Sequence, residues 1–135
     1  ITDWQQENTV ITRRRVLRGI HGNEGDDNWT LFTLLYGQIY LVWVNCAADN
    51  SGDNWHSFQL SSWHDVKPKG EQFLIPPGWG RAYYVESEVA VVHYRWTVPY
   101  EHQRQFTCRY DDPRFGILWP FKDQPILSER DDEVV

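Results

Sequence analysis

The chain has 135 residues, 41% of them hydrophobic and 16% aromatic, with eight Trp and a formal net charge of −6. This length is enough for one hydrophobic core. The acidic balance excludes a general nucleic-acid binder, which needs a basic surface, and no stretch approaches the roughly 20 apolar residues of a membrane-spanning helix.

Met is absent and Ala is sparse, while β-branched and aromatic side chains abound, so the prior is mainly β. Residues 1–14 are polar with a mild alternation (Trp4, Val10, Ile11) and suit an edge strand. Arg13-Arg14-Arg15 is the one basic cluster, either a solvated strand edge or part of an anion site. Residues 15–21 read as a short apolar strand with Arg18 and His21 planted in it. Both are satisfied core residues, or the strand lines a pocket. Gly22–Asn28 is a loop by composition. Trp29–Tyr36 is apolar on both faces, Gly37-Gln38 is a tight turn, and Ile39–Val44 is a second strand; the two strands are expected to pair as a hairpin.

Residues 45–54 form a polar loop, Trp55–Leu60 a short strand and residues 61–69 a turn region. Glu71–Ile75 is a strand stopped by Pro76-Pro77-Gly78. Arg81–Val85 and the long alternating run Val89–Val98 follow, with Glu86 and Glu88 marking the turn between them. Beyond Pro99 the chain turns polar, with a turn at Asp111-Asp112-Pro113, an apolar run at 117–121 and a charged end. Short strands at this spacing, with no convincing amphipathic helix, predict an all-β sandwich or barrel, including the double-sheet jelly roll.

Three stretches carry candidate chemistry. Gly70 to Arg81 has the spacing Gly-x5-Pro-x-Gly-x2-Arg, similar to the second motif of the cupins, which usually have His where this chain has Arg81. Many cupins hold a metal with that His and others. Here His21 is followed by Asn23 at the second position, and Arg81 cannot ligate, so no metal is expected. On the long strand, Ala90, Val92, Tyr94, Trp96 and Val98 share one face by period two and should point inward. Tyr94 is then a core phenol bonded to backbone, or an acid in a pocket. His93 lies on the other face with Val91 and Arg95. Cys46 and Cys108 lack metal-type spacing and read as free thiols of a reducing compartment, hence a cytoplasmic location.

Taken in order, these segments resemble the dTDP-4-dehydrorhamnose 3,5-epimerase family of nucleotide-sugar epimerases. Gln6 and Asn8 precede Val16-Leu17-Arg18-Gly19-Ile20-His21, similar to the family's Val-Leu-Arg-Gly-Leu-His. Pro76-x-Gly78 matches its Pro-x-Gly turn; Ser87-Glu88-x-Ala90 and Tyr94-Arg95-x-Thr97-x-x-Tyr100 match its long strand. Asp112-Pro113, Gly116-Ile117-x-Trp119-Pro120 and Leu127-Ser128-Glu129-Arg130-Asp131 match its tail.

The resemblance implies a double-stranded β-helix (cupin jelly roll) with little helix. Residues 1–135 are expected to be a single domain lacking the family's N-terminal strands. It implies cofactor-independent epimerisation of a nucleotide-linked 4-keto-6-deoxy sugar at C3 and/or C5, in a homodimer. His21 would be the base, Asp131 its partner (Asp132 the runner-up), and Tyr94 the acid on the opposite face. Arg18 would hold the diphosphate, and Gln6, Asn8, Arg81, Thr30 and Tyr100 would contact substrate. Two positions depart from the family. Thr30 stands where it has a Lys aimed at the enolate oxygen, and Arg81 where it has His. Arg81 could supply the missing charge or bind phosphate. A sugar-binding cupin without turnover, and an isomerase that moves the keto group, are the alternative readings. In a regular strand Arg18 and His21 face opposite sides, so a bulge or kink is expected at Gly19.

Overall fold

In a computed structural model of the protein, residues 3–46, 54–63 and 71–133 are described. The loop expected at 45–54 and the turn region at 61–69 lie largely outside them. The strands are β1 (Gln6–Arg13), β2 (Val16–Asn23), β3 (Thr30–Tyr36), β4 (Gln38–Asn45), β5 (Trp55–Ser61), β6 (Glu71–Ile75), β7 (Trp79–Val85), β8 (Val89–Trp96), β9 (Gln105–Thr107) and β10 (Ile126–Leu127). Among the described residues helix is limited to a 3₁₀ turn at His102–Arg104 and the single turn α1 (Glu129–Asp132). Among the described residues no helix is long and apolar enough to cross a membrane.

The strands form two facing sheets, a cupin jelly roll. The front sheet has the order β1-β8-β3-β6; the back sheet runs β10-β2-β7-β4-β5, with β9 also paired to β2. Among the described residues all pairs are antiparallel except β10 with β2. The main core lies between the sheets, where Phe32, Leu34, Ile75, Ala90 and Val92 meet Ile39, Leu41, Leu60, Tyr83 and Val85.

The two sheets differ in what covers their outer faces. The back sheet carries a second core on its outside: Leu17, Ile20, Val42, Val44 and Ala82 are covered by Phe115, Ile117 and Trp119 of the C-terminal segment. Strands buried on both faces read as continuous apolar runs, which is why β4 lacks alternation. On the front sheet β1 alternates, and Ile11, Leu35 and Leu74 point outward at 69%, 52% and 42% exposure.

The hairpin expected between β3 and β4 does not form. β3 pairs with β6 and β8, whereas β4 pairs with β5 and β7. The turn at Gly37, with φ of +106°, carries the chain from one sheet to the other. Both strands are central, so each already has neighbours on both edges. The basic run Arg13–Arg15 is exposed and turns the chain from β1 into β2, with Arg14 and Arg15 donating to the Glu86 and Gln124 carbonyls. It is a solvated edge. Cys46 and Cys108 are free thiols.

Candidate active site

The site is built where β2 breaks its alternation. Leu17, Arg18 and Gly19 pair with Tyr84, Tyr83 and Ala82 of β7, and then His21 pairs with Arg81, so the register slips by one residue. Gly19 has φ of +116°, and the Gly19–Ile20 peptide is cis. A Cβ at Gly19 would lie 2.4 Å from the Arg81 carbonyl oxygen and 2.8 Å from the Ala82 Cα, so only glycine fits. Because of the slip, Ile20 is buried in the outer core while Arg18 and His21 both face inward. This is the irregularity expected from the sequence.

The chain's end supplies the histidine's partner. Ser128 caps α1 by accepting from the Asp131 N–H at 3.2 Å. The turn delivers Asp131, 3% exposed, to β2. One carboxylate oxygen accepts the Gly19 N–H at 3.1 Å; the other lies 2.5 Å from His21 Nε2. Asp132, the runner-up, is exposed, and its carbonyl accepts from Arg109.

Burial pushes the His21 imidazole below its ordinary value, and the Asp131 hydrogen bond and charge offset only part of this. Burial also pushes the Asp131 carboxyl up, but the His21 bond and charge, the Gly19 N–H and the Ser128 hydroxyl outweigh it and hold Asp131 below its usual value. At neutral pH the pair is therefore neutral imidazole against carboxylate. Nε2–H donates to Asp131, and Nδ1 carries the lone pair.

Tyr94 approaches from the opposite sheet. It lies on the inward face of β8 beside Trp96, with ring centroids 5.7 Å apart. Across the β1–β8 pairing, Asn8 sits directly opposite Tyr94 and donates to its hydroxyl at 3.0 Å. Gln6 in turn donates to Asn8 at 3.4 Å. Gln6 and Asn8, expected at the substrate, are thus bonded behind Tyr94 and are not among the residues lining the cavity.

Between the two walls lies a cavity of about 210 Å³, with His21, Arg18, Arg81 and Arg130 on its polar side and Tyr94, Tyr83, Phe32 and Val10 around them. The lining holds three guanidiniums and no carboxylate, in a protein of net charge −6; Asp131 stands behind His21. Arg18 is half-buried and donates from Nε to Thr12 at 2.8 Å. Arg130 is exposed at the mouth and donates to Thr107 at 3.0 Å. Arg81 is 9% exposed, with its guanidinium 5.2 Å from the Tyr94 ring centre and 5.3 Å from that of Trp96. Among the described residues no group of three His, Cys, Asp or Glu could hold a metal ion.

Two expected contacts stand apart. Thr30 is buried at 3% exposure off the cavity wall, its hydroxyl taken by Asn28 at 3.4 Å. Tyr100 is 51% exposed outside the cavity and stacks on Trp96 at 6.3 Å.

The family model described as dTDP-4-dehydrorhamnose 3,5-epimerase matches residues 1–135. The chain belongs to this family. An epimerase of that name from Methanothermobacter thermautotrophicus is 30% identical over 130 residues, 93% of this chain and 67% of that protein. A dTDP-6-deoxy-D-glucose-3,5-epimerase from Legionella pneumophila, solved with dTDP-4-keto-L-rhamnose, superimposes with a TM-score of 0.82 at 30% identity, covering 99% of this chain and 70% of that one. A 3'-monoepimerase from Streptomyces bikiniensis, solved with dTDP-quinovose, gives 0.81 at 25% identity over 97% of this chain and 65% of that one. The chain thus spans about two thirds of the length of these relatives.

Within the epimerase-family frame, the residues that sequence reading overlooked are Arg130 and Thr12. Arg130 had a signal: Ser128-x-x-Asp131 is a helix-capping spacing, which places residue 130 on a turn beside Asp131. Thr12 holds Arg18 and lies within 3.5 Å of the Tyr83 hydroxyl, a link that joins β1 to the back sheet and has no local signature.

Proposed function

We propose that this chain epimerises a nucleoside-diphospho-4-keto-6-deoxy sugar at C3, C5 or both, without a cofactor. The observation that carries the reading is the pairing of walls: a carboxylate-bonded histidine on the back sheet faces an amide-bonded phenol on the front sheet across one cationic cavity.

Each side chain then has a task. His21 Nδ1 takes the proton from the carbon next to the ketone; the C–H electron pair forms a C=C bond and the carbonyl pair moves to oxygen as an enolate. Asp131 stabilises the imidazolium so formed. On return, the enolate oxygen reforms the carbonyl, and the C=C pair takes the Tyr94 proton on the opposite face. Asn8 donates to the Tyr94 oxygen, which leaves the phenolic proton free to transfer and stabilises the phenolate afterwards. Proton exchange with water resets both groups. Arg18 and Arg130 offer the diphosphate two guanidiniums near the cavity mouth. The ketone itself accepts the electron pair, so the mechanism needs no metal or organic cofactor.

The test is incubation with a dTDP-4-keto-6-deoxy sugar in D₂O. Deuterium at C3 or C5 together with the epimer is the expected result, read by NMR. Binding without exchange would support the sugar-binding cupin instead, a reading favoured by the placement of Thr30 off the cavity wall. A homodimer and a cytoplasmic location belong to the same proposal. The outward apolar side chains Ile11, Leu35 and Leu74 are a surface a dimer would bury, and free thiols suit a reducing compartment. Sedimentation of the purified protein tests the first.

A further inference from the structure

Arg81 is the most deeply buried cation of the cavity, and its charge has little to balance it. A guanidinium has five N–H donors. Among the described residues Arg81 makes one hydrogen bond, a long one of 3.4 Å from Nη1 to the His21 carbonyl oxygen, and no ion pair with a carboxylate. Its other contacts are the π faces of Tyr94 and Trp96. A buried charge left this short of partners is costly to the fold, and burial pulls its pKa down. Such an arrangement persists where the missing anion arrives during function.

Position decides which anion. Arg81 is the cross-strand neighbour of His21 and lies against the Tyr94 ring, so it touches both the proposed base and the proposed acid. A carbon deprotonated by one and reprotonated by the other must sit between them. The carbonyl carbon is the next ring atom, and its exocyclic oxygen, two bonds from the reacting carbon, then falls in the same space. The diphosphate is attached at the sugar's other end, toward the more exposed Arg18 and Arg130. Thr30 is neutral, buried, and accepts a hydrogen bond from Asn28, so it brings no charge to that space.

We infer that Arg81 is a catalytic residue whose guanidinium holds the enolate oxygen formed when His21 removes the α-proton. The inference rests on the epimerase reading. The carbonyl pair shifts to oxygen beside a fixed cation in a site shielded from water, where such a charge acts most strongly. Arg81 gains or loses no proton in the step.

The experiment compares Arg81→Gln, Arg81→Lys and Arg18→Gln with the wild type in D₂O. Each is assayed for kcat, KM and α-deuterium uptake, and checked for folding by its thermal melt and dTDP binding. Removing one such stabilising group lowers kcat on the order of 10²–10³-fold. Arg81→Gln is expected to lose kcat and deuterium uptake together by that factor with KM within about threefold, and Arg81→Lys to keep kcat within about tenfold. Arg18→Gln is expected to raise KM with kcat largely kept.

A folded Arg81→Gln with kcat intact and KM raised would make Arg81 a phosphate ligand and overturn the inference; so would one with both constants unchanged. If Arg81→Gln does not fold, Arg81→Lys decides: a raised KM at wild-type kcat overturns the inference, and a modest kcat loss at wild-type KM supports it. Wild-type protein that takes up no deuterium at all would overturn the epimerase reading itself, a result distinct from any variant's.

Discussion

The two walls of the cavity are made by different means. The Tyr94 wall is a regular strand in a sheet that alternates: β8 keeps period two from Ala90 to Trp96, and Asn8 stands opposite Tyr94 in register. The His21 wall is irregular. It needs a slipped register, a glycine at positive φ and a carboxylate delivered from 110 residues away. The front wall holds its reactive group with a neutral amide, the back wall with a buried charge. This division suits the proposed chemistry: a histidine acting as base carries a positive charge for part of the cycle and has a carboxylate behind it; a phenol acting as acid becomes an anion and has a donor.

Breaking the back wall should therefore cost more than breaking the supports of the front wall. The largest effect is expected from His21→Ala, which removes the proposed base and should lower kcat and α-deuterium uptake about 10⁴-fold, the upper end for a general base. Asp131→Asn keeps the shape but loses the charge and the tautomer control. A drop in kcat on the order of 10²–10³-fold is expected.

The pH profile sharpens the same comparison. The proposed mechanism requires neutral His21, so kcat/KM is expected to fall as pH falls through its pKa. Burial places that acid limb below the ordinary 6.5. Asp131 raises the His21 value, so Asp131→Asn should move the limb lower still while reducing the plateau. A limb that moves upward would contradict the assignment. For stability the sign is that of a depressed pKa. The His21 contribution is fully present above 6.5 and is lost as pH falls through the folded-state value, with Asp131 following the same sense below 3.8. Thermal melts taken downward from neutral pH check this.

Gly19→Ala tests the slip by itself. A Cβ at φ of +116° and 2.4 Å from the Arg81 carbonyl should cost on the order of 3 kcal/mol of unfolding free energy. The smallest effect is expected on the front wall: Asn8→Ala removes one neutral hydrogen bond to Tyr94, and kcat should fall about tenfold or less.

Where the sequence was informative follows the same division. Tyr94 was legible because a regular strand with one wet face prints its parity on the sequence. The break at Gly19 was legible because Arg18 and His21 differ by three, an odd number, and only a slip lets both face one cavity. The β3–β4 crossing was not legible: Gly37 after an apolar strand looks the same whether the chain returns beside itself or leaves for the other sheet. Long-range placement was beyond local pattern. Nothing near Asn8 states that it lies opposite Tyr94, and nothing near Thr30 states that its hydroxyl turns to Asn28 while Arg81 fills the cavity from the facing sheet.

The central claim, two walls acting on opposite faces of one carbon, is tested most directly by Tyr94→Phe in D₂O beside His21→Ala. With the phenol gone, His21 can still remove the α-proton and return solvent deuterium to the same face. The expected result is deuterium in recovered substrate of unchanged configuration with little or no epimer, and neither product from His21→Ala. Epimer formed by Tyr94→Phe at the wild-type rate, or deuterium uptake that survives in His21→Ala, would contradict the account.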